Sequence, residues 1–278
     1  MNMHRNYLIL LLLMIINLPM NAQSQKGYYA AVNGLKLYYE LHGNGSPLVL
    51  LHGGGSTIGT TYGRILPELA KKYQVIAIEL QAHGHTADID RPLSFEQDAD
   101  DVAALLGQLH IRKASFMGFS NGGTTCLQIA IRHPVLVDKL VLASTLYKRS
   151  GVPPGFFDGF EQASPDQMPQ QLKDAFRKIN PDPKALDAMF HRDVDRMKHF
   201  RDISDTAIKA IQAPTLVING YAEPILPEHA LQIARAMPHA QLVILPGGHG
   251  DYIGEICSPD KNSKLPALTV TMITEFLR

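Results

Sequence analysis

The sequence predicts an α/β architecture, a mostly parallel sheet with helices covering both faces. Three observations predict it. Short apolar runs alternate with stretches of helical periodicity along most of the chain. Several of those runs end in glycine-rich turns, the usual way out of a buried parallel strand. Finally, 278 residues with 45% hydrophobic content suffice for one large core.

The elements follow in order. Residues 1–22 stand apart: MNMHRNY carries a basic residue, LILLLLMIINL is continuously apolar, and PMNAQ offers small Ala22 before Gln23. That is the layout of a cleaved secretory signal peptide, so an exported protein, periplasmic or secreted, is expected. An uncleaved membrane anchor is the competing reading, although the run is short for a bilayer span. Gly27 to Val32 and Leu35 to Leu41 read as strands joined by Asn33-Gly34, a hairpin-turn dipeptide. Pro47 to Leu51 is an apolar strand running into His52-Gly53-Gly54-Gly55. Thr61 to Lys72 reads as a helix and Gln74 to Leu80 as another buried strand. Ser94 to Leu109 opens with a capping-box-like Ser94…Gln97 and has apolar residues at helical spacing. The strand KASFMGF, the helix NGGTTCLQIAIRH and the strand Lys139 to Thr145 come next.

The rhythm breaks between about Tyr147 and Ile211, where helix-like pieces lie between proline-rich turns. It resumes with the strand Pro214 to Gly220, a helix from Pro227 to Met237, the strand Gln241 to Gly247 and a last helix from about Leu265. The expected organisation is therefore one core, residues 23–146 and 212–278, carrying a helical insertion at 147–211.

Composition removes some functions. Lys+Arg and Asp+Glu number 26 each, so nothing suggests nucleic-acid binding or an acidic partner. The two cysteines, Cys126 and Cys257, make no zinc-like spacing and are expected to be unpaired. No metal site and no cofactor are expected.

Four loops at the carboxyl edge of the expected sheet carry the chemistry, because ligands bind at that edge. Gly118-Phe119-Ser120-Asn121-Gly122 matches G-x-S-x-G between a strand and a helix, where a sharp turn exposes a nucleophilic hydroxyl. In His52-Gly53-Gly54-Gly55-Ser56, bare backbone N–H groups can turn inward, so the N–H groups of Gly54 and Asn121 are candidates to hold an oxyanion. A phosphate-binding turn is the alternative, but no Walker-type lysine follows. His249 stands just past the last strand, and imidazole can take and return a proton near neutral pH. Glu223, in Tyr221-Ala222-Glu223-Pro224, is the carboxylate of the preceding strand's loop and the candidate to orient His249.

With those residues in place, the chain resembles α/β-hydrolase-fold serine hydrolases with a helical cap, over essentially everything from Gly27 onward. GFSNGG is similar to the family's nucleophile elbow, HGGGS to its oxyanion loop and PGGHGD to its histidine loop. ELQAHGHT is similar to the D-x-R-G-x-G-x-S loop, with Gln81 and Ala82 in place of the usual arginine and glycine. The acid loop departs too: Glu223 and Tyr221 stand where aspartates are usual, and Ser144-Thr145 offers no substitute acid after the sixth strand.

The resemblance implies hydrolysis of a small carboxylic ester or lactone through an acyl-enzyme on Ser120. Phe119, Phe156, Phe157, Phe160, Met189 and Phe190 are candidates to line an apolar pocket. The alternatives are a ligand-binding protein on the same fold with little turnover, or C–C hydrolase or peroxidase chemistry on the same triad.

Overall fold

A computed structural model describes residues 27–278, and the expected signal peptide lies outside the described residues. In chain order the elements begin with β1 (Gly27–Val32), β2 (Leu35–His42), β3 (Ser46–Leu51), α1 (Ile58–Tyr62), α2 (Leu66–Leu69) and β4 (Tyr73–Glu79). Next come α3 (Phe95–Gln108), β5 (Ala114–Phe119), α4 (Asn121–Arg132) and β6 (Val137–Ala143). The remainder is α5 (Gln170–Ile179), α6 (Pro183–Lys198), α7 (Asp205–Ala210), β7 (Thr215–Gly220), α8 (Pro227–Ala236), β8 (Ala240–Leu245) and α9 (Leu265–Phe276). Among the described residues no helix is long and apolar enough to cross a membrane.

All strands join one eight-stranded sheet in the order β1-β2-β4-β3-β5-β6-β7-β8. β2 pairs antiparallel with both β1 and β4, and the pairings from β4 to β8 are parallel. The β1–β2 hairpin turns at Asn33 (φ 46°) and Gly34 (φ 82°), the paired positive φ values of the turn that follows strand twist.

The strands look continuously apolar because both faces are covered. Along β3, Leu48 and Leu50 pack in the cluster that holds Tyr62, Met117 and Ile273. Val49 and Leu51 point the other way, into the cluster of Val102, Phe116, Leu127 and Ile233. Burial on each face therefore uses alternate residues of one run.

β3 lies between β4 and β5, so the chain leaves it to opposite sides in successive crossovers. The register sets Leu51 beside Gly118, which brings the loop after β3 against the loop after β5. A crevice opens where strand order reverses in this way.

Two expectations need correction. Thr61–Lys72 is not one helix: Gly63 caps α1, and Pro67 sits in the first turn of α2, where a missing N–H costs nothing. At α3, Ser94 does accept from the Gln97 N–H, but the Gln97 side chain turns to Asp101 instead of closing a capping box.

Between β6 and β7 the chain builds α5, α6 and α7 with small cores of their own. Phe157, Met197 and Phe200 share one with Phe95, while Met168, Phe176, Leu186 and Met189 form another. Cys126 and Cys257 are both free.

Candidate active site

Ser120 joins β5 to α4 with φ 54° and ψ −119°, a conformation a non-glycine residue seldom takes. Strain of this kind costs roughly 1–3 kcal/mol and persists only where surroundings enforce it. Here they do: Ser120 N–H donates to Ala143 C=O at 2.8 Å, and Ser120 C=O accepts from the Gly123 N–H at 2.9 Å. A Cβ at Gly118 would run into the Gly122 carbonyl, and one at Gly122 into the Leu51 carbonyl. Both glycines are thus needed for the chain to turn this tightly against β3.

The acid and the histidine meet. His249 Nδ1 lies 2.6 Å from Glu223 Oε2, and the Glu223 side chain is fully buried. A carboxylate only accepts, so Nδ1 carries the proton and Nε2 is left as the basic nitrogen. The His249 ring is about one-third exposed and lies against Phe119, with centroids 4.6 Å apart. No hydrogen bond joins the Ser120 hydroxyl to His249 among the described residues; nucleophile–base bonds commonly tighten only in the complex.

Sequence reasoning missed what holds Glu223. Its Oε1 accepts from the Gly220 N–H and from Ser144 Oγ at 2.8 Å. Having given its one hydrogen to Glu223, Ser144 must accept from Tyr252 Oη, 2.6 Å away. Ser144 and Tyr252 are buried, and Ser144 takes φ 49° to aim its hydroxyl. Burial, with Glu223 nearby, pushes the Tyr252 phenol far above its ordinary value, so it stays a donor. Asp251, the neighbouring carboxylate, is occupied elsewhere: it accepts from the Gly248 N–H at 2.7 Å.

Gly54, Ser120 and Asn121 line one cavity of about 310 Å³. As the first residue of α4, Asn121 presents an N–H with no intrahelical partner. Of the residues expected at a pocket, Phe156, Phe160, Met189 and Phe190 line this cavity. Phe119 and Phe157 do not. Phe119 packs beneath the sheet edge with Met117 and Tyr252, and Phe157 lies in the cluster with Phe95 and Phe200. Met197 also lines the cavity, with Met168 and Leu172, whose only sequence signal is apolar spacing in the helical insertion. Among the described residues in the lining, Asp193 is the sole charged side chain.

His52 is structural. Its Nδ1 donates to the Gly53 carbonyl at 2.8 Å while Nε2 accepts from the Leu80 N–H at 3.1 Å. Burial, reinforced by nearby His83, pushes its pKa down to about 3, so the ring is neutral.

Residues 48–255 match the model of the family described as "Alpha/beta hydrolase family". The chain is 28% identical to serine hydrolase BPHL of Homo sapiens over 238 residues, 78% of each protein. It is 28% identical to 2-hydroxymuconate semialdehyde hydrolase of Pseudomonas sp. (strain CF600) over 257 residues, 82% of this chain and 88% of that one. Among solved structures, Est816, described as an N-acyl homoserine lactone degrading enzyme, superposes with a TM-score of 0.70 at 25% identity, covering 90% of this chain and 100% of that one.

Proposed function

The chain belongs to the alpha/beta hydrolase family, and from that premise we propose that it hydrolyses small, uncharged carboxylic esters or lactones through an acyl-enzyme on Ser120. One observation carries the reading: a serine forced into a strained turn shares a cavity wall with the Gly54 loop and the α4 N-terminus.

In this reading His249 Nε2 takes the Ser120 proton as Oγ attacks the carbonyl. Glu223 keeps the other ring proton on Nδ1 and steadies the imidazolium. The N–H groups of Gly54 and Asn121 receive the developing oxyanion. His249 then passes the proton to the leaving alcohol, and water repeats the sequence to release the acid.

The cavity favours a neutral acyl group over a carboxylate-bearing C–C substrate. The relative's name, 2-hydroxymuconate semialdehyde hydrolase, specifies a carboxylate, which a basic side chain in the pocket would favour. No lysine or arginine lines this cavity among the described residues, and its one charge is the carboxylate of Asp193. Binding without turnover would leave the strain at Ser120 with no purpose.

Wild-type protein is expected to turn over short-chain p-nitrophenyl esters, and Ser120→Ala to lose that activity by at least about 10³-fold. Turnover unchanged in Ser120→Ala would remove the nucleophile from the account.

A further inference from the structure

We propose that Asp193, on α6, is a positioning residue that reaches from the helical insertion to the glycine loop after β3 and holds its peptides in the orientation that receives the oxyanion. The inference rests on the reading of that loop given above.

Asp193 Oδ2 accepts from the Gly55 N–H at 2.6 Å, across 138 residues of sequence, and from His83 Nε2–H at 2.9 Å. Its Oδ1 pairs with Arg196, which in turn pairs with Asp98 at 2.8 Å. His83 Nδ1 faces the Gln81 carbonyl at 2.8 Å. Both nitrogens of His83 therefore face acceptors, and the ring is an imidazolium. Burial alone would push its pKa down, but the charge and hydrogen bond of Asp193 outweigh burial and raise it. Burial likewise opposes the Asp193 charge, yet His83 and Arg196, with the Gly55 N–H, hold its carboxyl far below the usual range.

A row of alternating charges results: His83 plus, Asp193 minus, Arg196 plus, Asp98 minus. Asp98, Arg196 and His83 are buried, and Asp193 accepts the hydrogen bond from the glycine loop. The neutralisation has a consequence for chemistry. A Cβ on Gly54 would stand 3.2 Å from Asp193 Oδ2, so a bare carboxylate there would repel an oxyanion bound at Gly54. Two cations on Asp193 cancel that field and leave its hydrogen bond.

Its geometric effect is specific. Three successive glycines have little torsional preference of their own, and Gly55 adopts φ +65°. Fixing the Gly55 N–H fixes the plane of the Gly54–Gly55 peptide and restricts rotation at Gly54. The insertion thereby sets the oxyanion loop, and the loop is ordered only while α6 is seated on the core.

The test compares Asp193→Asn and Asp193→Ala with wild type, using a p-nitrophenyl ester and a trifluoromethyl ketone that forms a tetrahedral adduct. Every neighbour of Asp193 is a donor, so the carboxamide of Asp193→Asn must turn an NH2 toward one of them without changing volume. The expected result for both variants is a fall in kcat of about 10²-fold with KM within about threefold. The ketone Ki should weaken in parallel with kcat. If Asp193→Ala fails to fold because it strands two buried cations, Asp193→Asn decides alone. Wild-type kcat in folded Asp193→Asn overturns the proposal, as does a rise in KM alone, which would mark a clamp on the insertion. Loss of both this proposal and its premise would be recognised separately, by Ser120→Ala retaining wild-type turnover.

Discussion

At the scale of single residues, the unusual feature is a glutamate in the acid position, held by a serine and a tyrosine that carry no motif. Glutamate has one more rotatable bond than aspartate, and Gly220, Ser144 and Tyr252 remove that freedom. Ser144→Ala deletes the donor to a buried carboxylate, a bond worth about 1.5–3 kcal/mol, and leaves Tyr252 Oη only its long 3.5 Å contact with the Ile218 carbonyl. The expected outcome is a fall in kcat of about tenfold with KM little changed. Activity equal to wild type in Ser144→Ala would show that Glu223 needs no such brace. The placement of Ser120, Glu223 and His249 was legible in the sequence because each follows a strand, after β5, β7 and β8 in turn. Ser144 and Tyr252 were not legible: one lies 79 residues before Glu223 and the pair are 108 residues apart, and an isolated hydroxyl has no pattern until folding buries it.

Elements differ in how openly the sequence announces them. Strands buried on both faces stand out as apolar runs, and β3 to β7 lie within a few residues of such runs for that reason; β8, at the sheet edge, is only partly buried yet is apolar enough to show. The helix expected over Thr61–Lys72 failed because helical spacing persists across Gly63 and Pro67, while those two residues end one helix and start another. Buried histidines announce themselves less well: nothing in the periodicity marks His83 or His229, and both are buried. His229, on α8, accepts from the Tyr147 N–H at 3.1 Å and stacks on that ring. Burial pushes its pKa down from 6.5 to about 4, with Lys148 adding to the effect. A histidine with a depressed folded pKa contributes stability that is present above the unfolded value and lost as pH falls through the folded one. Acidification from pH 6.5 toward 4 should therefore lower the urea midpoint through protonation of the unfolded chain. His229→Gln keeps an acceptor for Tyr147 and should reduce that dependence, leaving the part due to buried His52; parallel wild-type and variant curves would contradict the assignment.

For the whole molecule, strand order decides the site. β3 lies between β4 and β5, and this reversal makes the loop after β3 and the elbow after β5 neighbours. The sequence carried the fold class, but not which of its apolar side chains would reach the cavity. Phe119 and Phe157 are as apolar as Phe156 and Phe160, and only the packing of the insertion over the sheet edge separates them. The central claim is that this assembly makes one hydroxyl, Ser120, reactive through His249. It is tested most directly by treating the folded protein with a fluorophosphonate and mapping the adduct by peptide mass spectrometry. The account expects one adduct, on the peptide bearing Ser120, with labelling slowed by orders of magnitude in His249→Ala. An unlabelled wild-type protein, an adduct on another residue, or equal labelling in His249→Ala would contradict it.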